Sequence, residues 1–150
     1  MNLKEITREE FDLNRKNKLS INFSDSPTLY YNVCLTKFCF SIAYSSDLLK
    51  PKTLFIKNKL FIGIDLKIAI IDLISEKLDR EIKLSSYFYD FKETENYIII
   101  ICELEIIIID RIGFKEFKRK SFEDLIDDYN ISNNQADVYL MNGKQETVNF

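Results

Sequence analysis

The chain has 150 residues, of which 46% are hydrophobic and 30% charged, with a formal net charge of −3. That length accommodates one domain with a real core, and the balance is ordinary for a folded soluble chain. The acidic sign argues against broad nucleic-acid binding, which goes with a basic surface, and the absence of histidine removes the commonest general base, proton shuttle and metal ligand.

The opening MNLKEITREE is charged and lacks the apolar centre of a signal peptide. Thr7 and Glu10 have capping-box spacing, a hydroxyl for free amides and a carboxylate three residues on. They predict a short helix over about residues 8–18, within a helical N-terminal segment at 1–20. Residues 22–27 (NFSDSP) form a turn-rich break. Residues 28–44 are aromatic and β-branched and predict two or three strands, with a turn near Thr36 and Lys37. Tyr30, Tyr31 and Tyr44 would suit a recognition surface, but aromatic residues in the core of a sheet account for them more simply. Cys34, Cys39 and Cys102 are an odd set without CxxC spacing; reduced, buried thiols are expected, and no structural zinc.

Residues 53–56 start the first clear β unit. The stretch NKLFIGIDLKIAIID, 58–72, then returns as NYIIIICELEIIIID, 96–110, at an offset of 38 residues. Isoleucine is stiff at χ1 and suits a strand. Two carboxylates and a shorter apolar length exclude a membrane span of about 20 residues. Each copy therefore reads as a hairpin, turning at Asp65-Leu66 and at Glu103-Leu104. Apolar residues do not alternate with polar ones in the second copy, so both its faces are expected to be covered. A further step of 38 reaches Asn134, where Asn142-Gly143 supplies a third turn. Residues 80–84 and 87–91 are expected to add strands. A period near about 40 residues with four short strands is that of propeller blades.

Residues 111–120 carry five basic residues and one acid. They read as an outer edge strand on which lysine discourages sheet-to-sheet pairing. Residues 121–129 (SFEDLIDDY) are expected to be a short helix or turn leading into a strand. From 121 to 150 six acids face one base, a local net charge of −5. Glu123, Asp124, Asp127 and Asp128 are the candidate partner-binding residues.

No catalytic set emerges. Gly63, Gly113 and Gly143 are isolated from one another, so no glycine-rich loop cradles a phosphate. A serine or cysteine nucleophile has no histidine to activate it. Carboxylate chemistry would require at least two of Asp124, Asp127 and Asp128 to converge in one pocket. The expectation is a non-enzyme with no cofactor and no metal.

The hairpin DLKIAIID, matched by ELEIIIID, resembles the strand–turn–strand core of a propeller blade over 53–150. Three such units are fewer than the about four to eight blades of a closed ring. The expected fold is therefore mainly β, a single domain over 1–150. It would be made of stacked antiparallel hairpin units, propeller-blade-like and open or else a β-sandwich, with a short N-terminal helix. The segments LKEITREEF and SPTLYYNVCLTKFCFSIAYSSDLL resemble immunity proteins of contact-dependent growth inhibition systems. That resemblance implies a cytoplasmic protein that neutralises a cognate toxin domain, often a nuclease, with no nucleic-acid or membrane partner and no catalytic residues. The alternative is a β-repeat interaction scaffold without a toxin partner, pairing through a sheet edge.

Overall fold

The computed structural model describes residues 2–150, and the chain divides into two compact units, Met1–Lys83 and Leu84–Phe150. Each holds two sheets.

The first unit begins with β1 (Asn2–Glu5) and α1 (Arg8–Asn14). Thr7 Oγ1 accepts from the Glu10 N–H at 3.2 Å, and Glu10 Oε2 accepts from the Thr7 N–H at 2.8 Å. The capping box sets the start of the helix, and Phe11 is its buried anchor. The helix stops at Asn14, four residues short of the expected end, and strands flank it on both sides. β2 (Ser20–Asn22), β3 (Leu29–Cys34) and β4 (Cys39–Tyr44) complete a sheet ordered β1-β3-β4-β2, in which β2 runs parallel to β4 and the other pairs are antiparallel. Tyr44 is buried and stacks on Tyr31 at 5.7 Å, and Tyr31 packs on the unit's core. The Tyr30 hydroxyl donates to the Pro27 carbonyl, and its ring meets Phe11. These tyrosines belong to packing.

The second sheet of this unit is β5 (Lys52–Ile56), β6 (Lys59–Ile64), β7 (Lys67–Asp72) and β8 (Lys77–Lys83), antiparallel in chain order. Val33, Phe40 and Ile42 from one sheet cluster with Leu60, Ile62 and Ile71 from the other.

The second unit repeats the plan with β9 (Phe88–Glu93), β10 (Tyr97–Cys102), β11 (Glu105–Asp110) and β12 (Glu116–Ser121). β12 is an edge strand, as its lysines imply. β13 (Ile126–Ile131), β14 (Gln135–Leu140) and β15 (Gln145–Asn149) form a sheet of only three strands. Residues 122–125 form the turn before β13, and no helix interrupts them.

The repeat is visible bond by bond. The carbonyl of Asn58 accepts from the Leu73 N–H, that of Asn96 from Arg111 N–H, and that of Asn134 from Phe150 N–H, all at 2.8–2.9 Å. Asp72 Oδ1 accepts from the N–H groups of Ile74 and Ser75. Asp110 does the same for Ile112 and Gly113. Ile99, Ile101, Ile106 and Ile108 face the core shared with β14 and β15. Ile98, Ile100, Ile107 and Ile109, on the other face of the same hairpin, are also fully buried. The third hairpin turns through Met141, Asn142 and Gly143, with Gly143 at φ 84°, a three-residue loop that glycine enters without strain.

The thiol expectation is corrected at two positions. Cys34 and Cys39 stand opposite each other in the β3–β4 register and are joined as a disulfide. The spacing hid this because the bond is cross-strand, set by the turn between them. Cys102 is a buried free thiol whose pKa is pushed up by burial and then by the Glu105 carboxylate.

Two outcomes follow. Ile100→Asp or Ile107→Asp should lower stability by at least about 3 kcal/mol of a typical 5–15, because a charge would be buried without a partner; thermal melts check this. Reducing Cys34–Cys39 should leave the fold intact and lower the melting temperature by only a few degrees, as six registered pairs already hold that hairpin. Circular dichroism with and without a thiol reductant reads both quantities.

Candidate interaction surface

The acids singled out from the sequence are brought to one region, on the turn before β13 and on β13 itself. Phe122 plugs into the core beneath this turn. The Phe122 N–H donates to the Leu104 carbonyl and the Ile126 N–H to the Glu103 carbonyl, both at 2.8 Å. The turn of the isoleucine hairpin thus fixes where Glu123 and Asp124 stand.

β13 is bulged. Ile126 pairs with Leu140 and Asp128 with Tyr139, so Asp127 is an extra residue opposite no partner. A bulge re-aims side chains. Here Ile126, Tyr129 and Ile131 pack on the core while both Asp127 and Asp128 are exposed. Tyr129 is clamped: its hydroxyl donates to Asp90 Oδ2 at 3.1 Å, and the Lys92 ammonium lies 5.6 Å from its ring centre. Burial, then the Asp90 carboxylate, raises the Tyr129 pKa.

The four acids are not equivalent. Glu123 forms an ion pair with Lys144, which holds its carboxyl below the usual range. Asp124 Oδ1 and Asp128 Oδ1 accept from the N–H of the next residue. Among the described residues, no basic side chain pairs with Asp124, Asp127 or Asp128. No group of three or more acids, cysteines or histidines among the described residues is arranged to hold a metal ion.

Beside the acids lie Leu125, Tyr139 and Met141, all exposed. Sequence reasoning missed these three. The alternation in ADVYLM, 136–141, carried the signal for two: Ala136, Val138 and Leu140 point inward, so Tyr139 and Met141 point out. The basic run at 111–120 is largely engaged internally. Arg119 pairs with Glu105 and Glu116, Lys120 with Glu146, and Arg111 with Glu93.

A cleft of about 430 Å³ lies in the first unit, beside α1. Arg8, Arg15, Asp12 and Asp25 line it, so its charges balance.

The comparisons identify a fold. No protein-family model matches the chain, and no curated protein matches it. The β-propeller domain of Swd1 from Myceliophteria thermophila is similar at 16% identity, with a TM-score of 0.52, over 66% of this chain and 33% of the other. The chain thus spans about a third of that domain. The computationally designed Ika4 protein is similar at 10% identity, with a TM-score of 0.53, over 87% of this chain and 89% of the other. The fold is mainly β and propeller-blade-like, with a short N-terminal helix.

Replacing Lys144 by Gln should raise the Glu123 pKa towards the ordinary carboxylate range, because the ammonium that holds the carboxylate is removed. Carboxyl titration by NMR measures this; an unmoved midpoint would mean that Lys144 does not neutralise Glu123 in solution.

Proposed function

We propose that this protein is an immunity protein that binds and neutralises a cognate bacterial toxin domain, a nuclease, in the cytoplasm. The observation that carries the reading is the trio Asp124, Asp127 and Asp128, half-buried at Asp124 and exposed at the other two, with no basic side chain paired to it among the described residues, on a pinned turn and a bulged edge strand. A nuclease binds phosphate with basic residues, and an acidic surface held in place beforehand speeds encounter with such a groove. The apolar side chains of Tyr139 and Met141 beside the acids supply the uncharged contact area that stable interfaces use. The sequence resemblance of the first 50 residues to immunity proteins supports the same reading.

A second reading is an interaction scaffold of β repeats without a toxin partner. The likeness to a β-propeller domain favours it, since that likeness concerns fold and carries no toxin. Gene context separates the two: an immunity gene lies directly beside a toxin gene.

The test is co-purification with the domain encoded beside the gene, followed by rescue of growth when that domain is expressed. Wild-type protein that binds no such domain would remove the immunity reading. Reversing Asp124, Asp127 and Asp128 to lysine should slow association at least about tenfold at low salt, with a smaller loss at high salt as screening grows. Unchanged kinetics in a folded variant would take this surface out of the interface.

A further inference from the structure

The cleft beside α1 has a volume of about 430 Å³, within the range of small-molecule sites. All of its lining is internal to the first unit, and β1 enters the sheet opposite Cys34, at the far end of β3 from Tyr30.

Its two walls are set by local bonds. One wall is the helix, where Arg8, Asp12 and Arg15 recur at the i, i+4, i+7 spacing of a single face. Phe11, buried between them, fixes that face against the Tyr30 ring at 5.5 Å. The other wall is the loop at 24–28. The Ser26 N–H donates to Ser24 Oγ, the Ser45 hydroxyl to the Ser26 carbonyl, the Thr28 N–H to the Tyr44 carbonyl and the Tyr30 hydroxyl to the Pro27 carbonyl. Both walls therefore stand before anything binds, which lowers the ordering cost of recognition.

The polar groups of the cleft are only partly used. Arg8 Nε lies 4.0 Å from Asp12, a loose pair of exposed side chains. Among the described residues no ion pair engages Arg15 or Asp25. The cleft thus offers one unpaired guanidinium and one unpaired carboxylate. Asn22 adds an amide whose Oδ1 is buried and takes no hydrogen bond, and Ser26 adds a hydroxyl.

Charge selects the class of ligand. A net anion would meet Asp12 and Asp25, a net cation would meet Arg8 and Arg15, and like charges brought together are costly. A zwitterion satisfies both signs. A guanidinium takes a carboxylate through two parallel N–H bonds, and a carboxylate accepts from an ammonium. The remaining amide and hydroxyl are uncharged, and each both donates and accepts. We infer that this cleft binds a free α-amino acid with an uncharged polar side chain, its carboxylate on Arg15, its ammonium on Asp25 and its side chain towards Asn22 and Ser26. The torsion that carries the Asn22 amide is broad, so a ligand N–H draws the orphaned oxygen out of the interior and relieves a buried acceptor without a bond. This stands apart from the toxin reading: it uses none of the acids of β13, and the outcome of a growth rescue does not bear on it.

The probe is L-glutamine, titrated into the isotope-labelled full chain and followed by amide NMR. Saturable shifts are expected at Arg15, Ser26 and Thr28, with a Kd at or below about 1 mM. Arg15→Gln and Asp25→Asn change exposed side chains, and each should weaken binding at least about tenfold while the other amides keep their positions. Three relatives of the probe test its parts. Glutaramate lacks the ammonium, L-glutamine methyl ester lacks the carboxylate, and L-norleucine lacks the side-chain amide; each should bind at least about tenfold more weakly. No saturable shift with L-glutamine at about 10 mM would overturn the inference. So would shifts that survive both substitutions. Glutaramate or the ester binding as tightly as L-glutamine would overturn the zwitterion, and L-norleucine doing so would overturn the polar side chain.

Discussion

The second unit depends on the pairing of Ile98–Ile101 with Ile106–Ile109. Four registered pairs of isoleucines stand opposite one another, and all eight are fully buried. Each buried side chain of this size contributes about 1.5–3 kcal/mol through lost apolar hydration. Because strand side chains alternate, one register sends half of them to each face, and a slip of one residue exchanges the two sets. What stops the slip lies at the ends of the hairpin. Asn96 closes its open end through Arg111, and the 103–104 turn is held by the Tyr87 carbonyl and the Ser86 hydroxyl. The acidic surface inherits its position from that turn.

A buried carboxylate anchors one hairpin in each unit. Asp65 accepts from the N–H groups of Ser45 and Ser46, and Glu105 accepts from the Ser85 N–H and from Arg119. Each acid holds the loop 20 residues before it, the loop that leads into its own sheet. An ionised group in an apolar interior is costly alone and tolerable when hydrogen-bonded. These two acids therefore specify where a loop enters a sheet, a task that nondirectional hydrophobic contact performs poorly.

Much of this was legible in sequence for a physical reason. The 38-residue repeat carries turn residues and closing asparagines whose roles are local, so the hairpins β6–β7, β10–β11 and β14–β15 fall where the pattern puts them. The capping box acts within four residues and is legible in the same way. What was hidden depends on contacts between distant segments. β1 pairs with β3 and β2 runs parallel to β4, and neither strand has the length or apolar pattern to announce itself. The cross-strand partnership of Cys34 and Cys39 follows from a register that spacing does not display. The unequal state of the four candidate acids was hidden too, because Lys144 reaches Glu123 across 21 residues.

The acidic surface around β13 and the strand β15 belong to the same three-stranded sheet, whose two outer strands differ in regularity. Charge acts at long range, and its effect is on encounter. Backbone pairing acts only at contact, and it fixes orientation because the bonds have one register. Asp128 and Asp137 lie on successive cross-strand rows of the outer face, and the second row ends at Thr147, whose N–H points out of the sheet. The bulge at Asp127 keeps β13 from offering a regular edge of its own. In this sheet the exposed acids Asp127 and Asp128 thus sit on the irregular strand, while β15 keeps an unbroken register with β14.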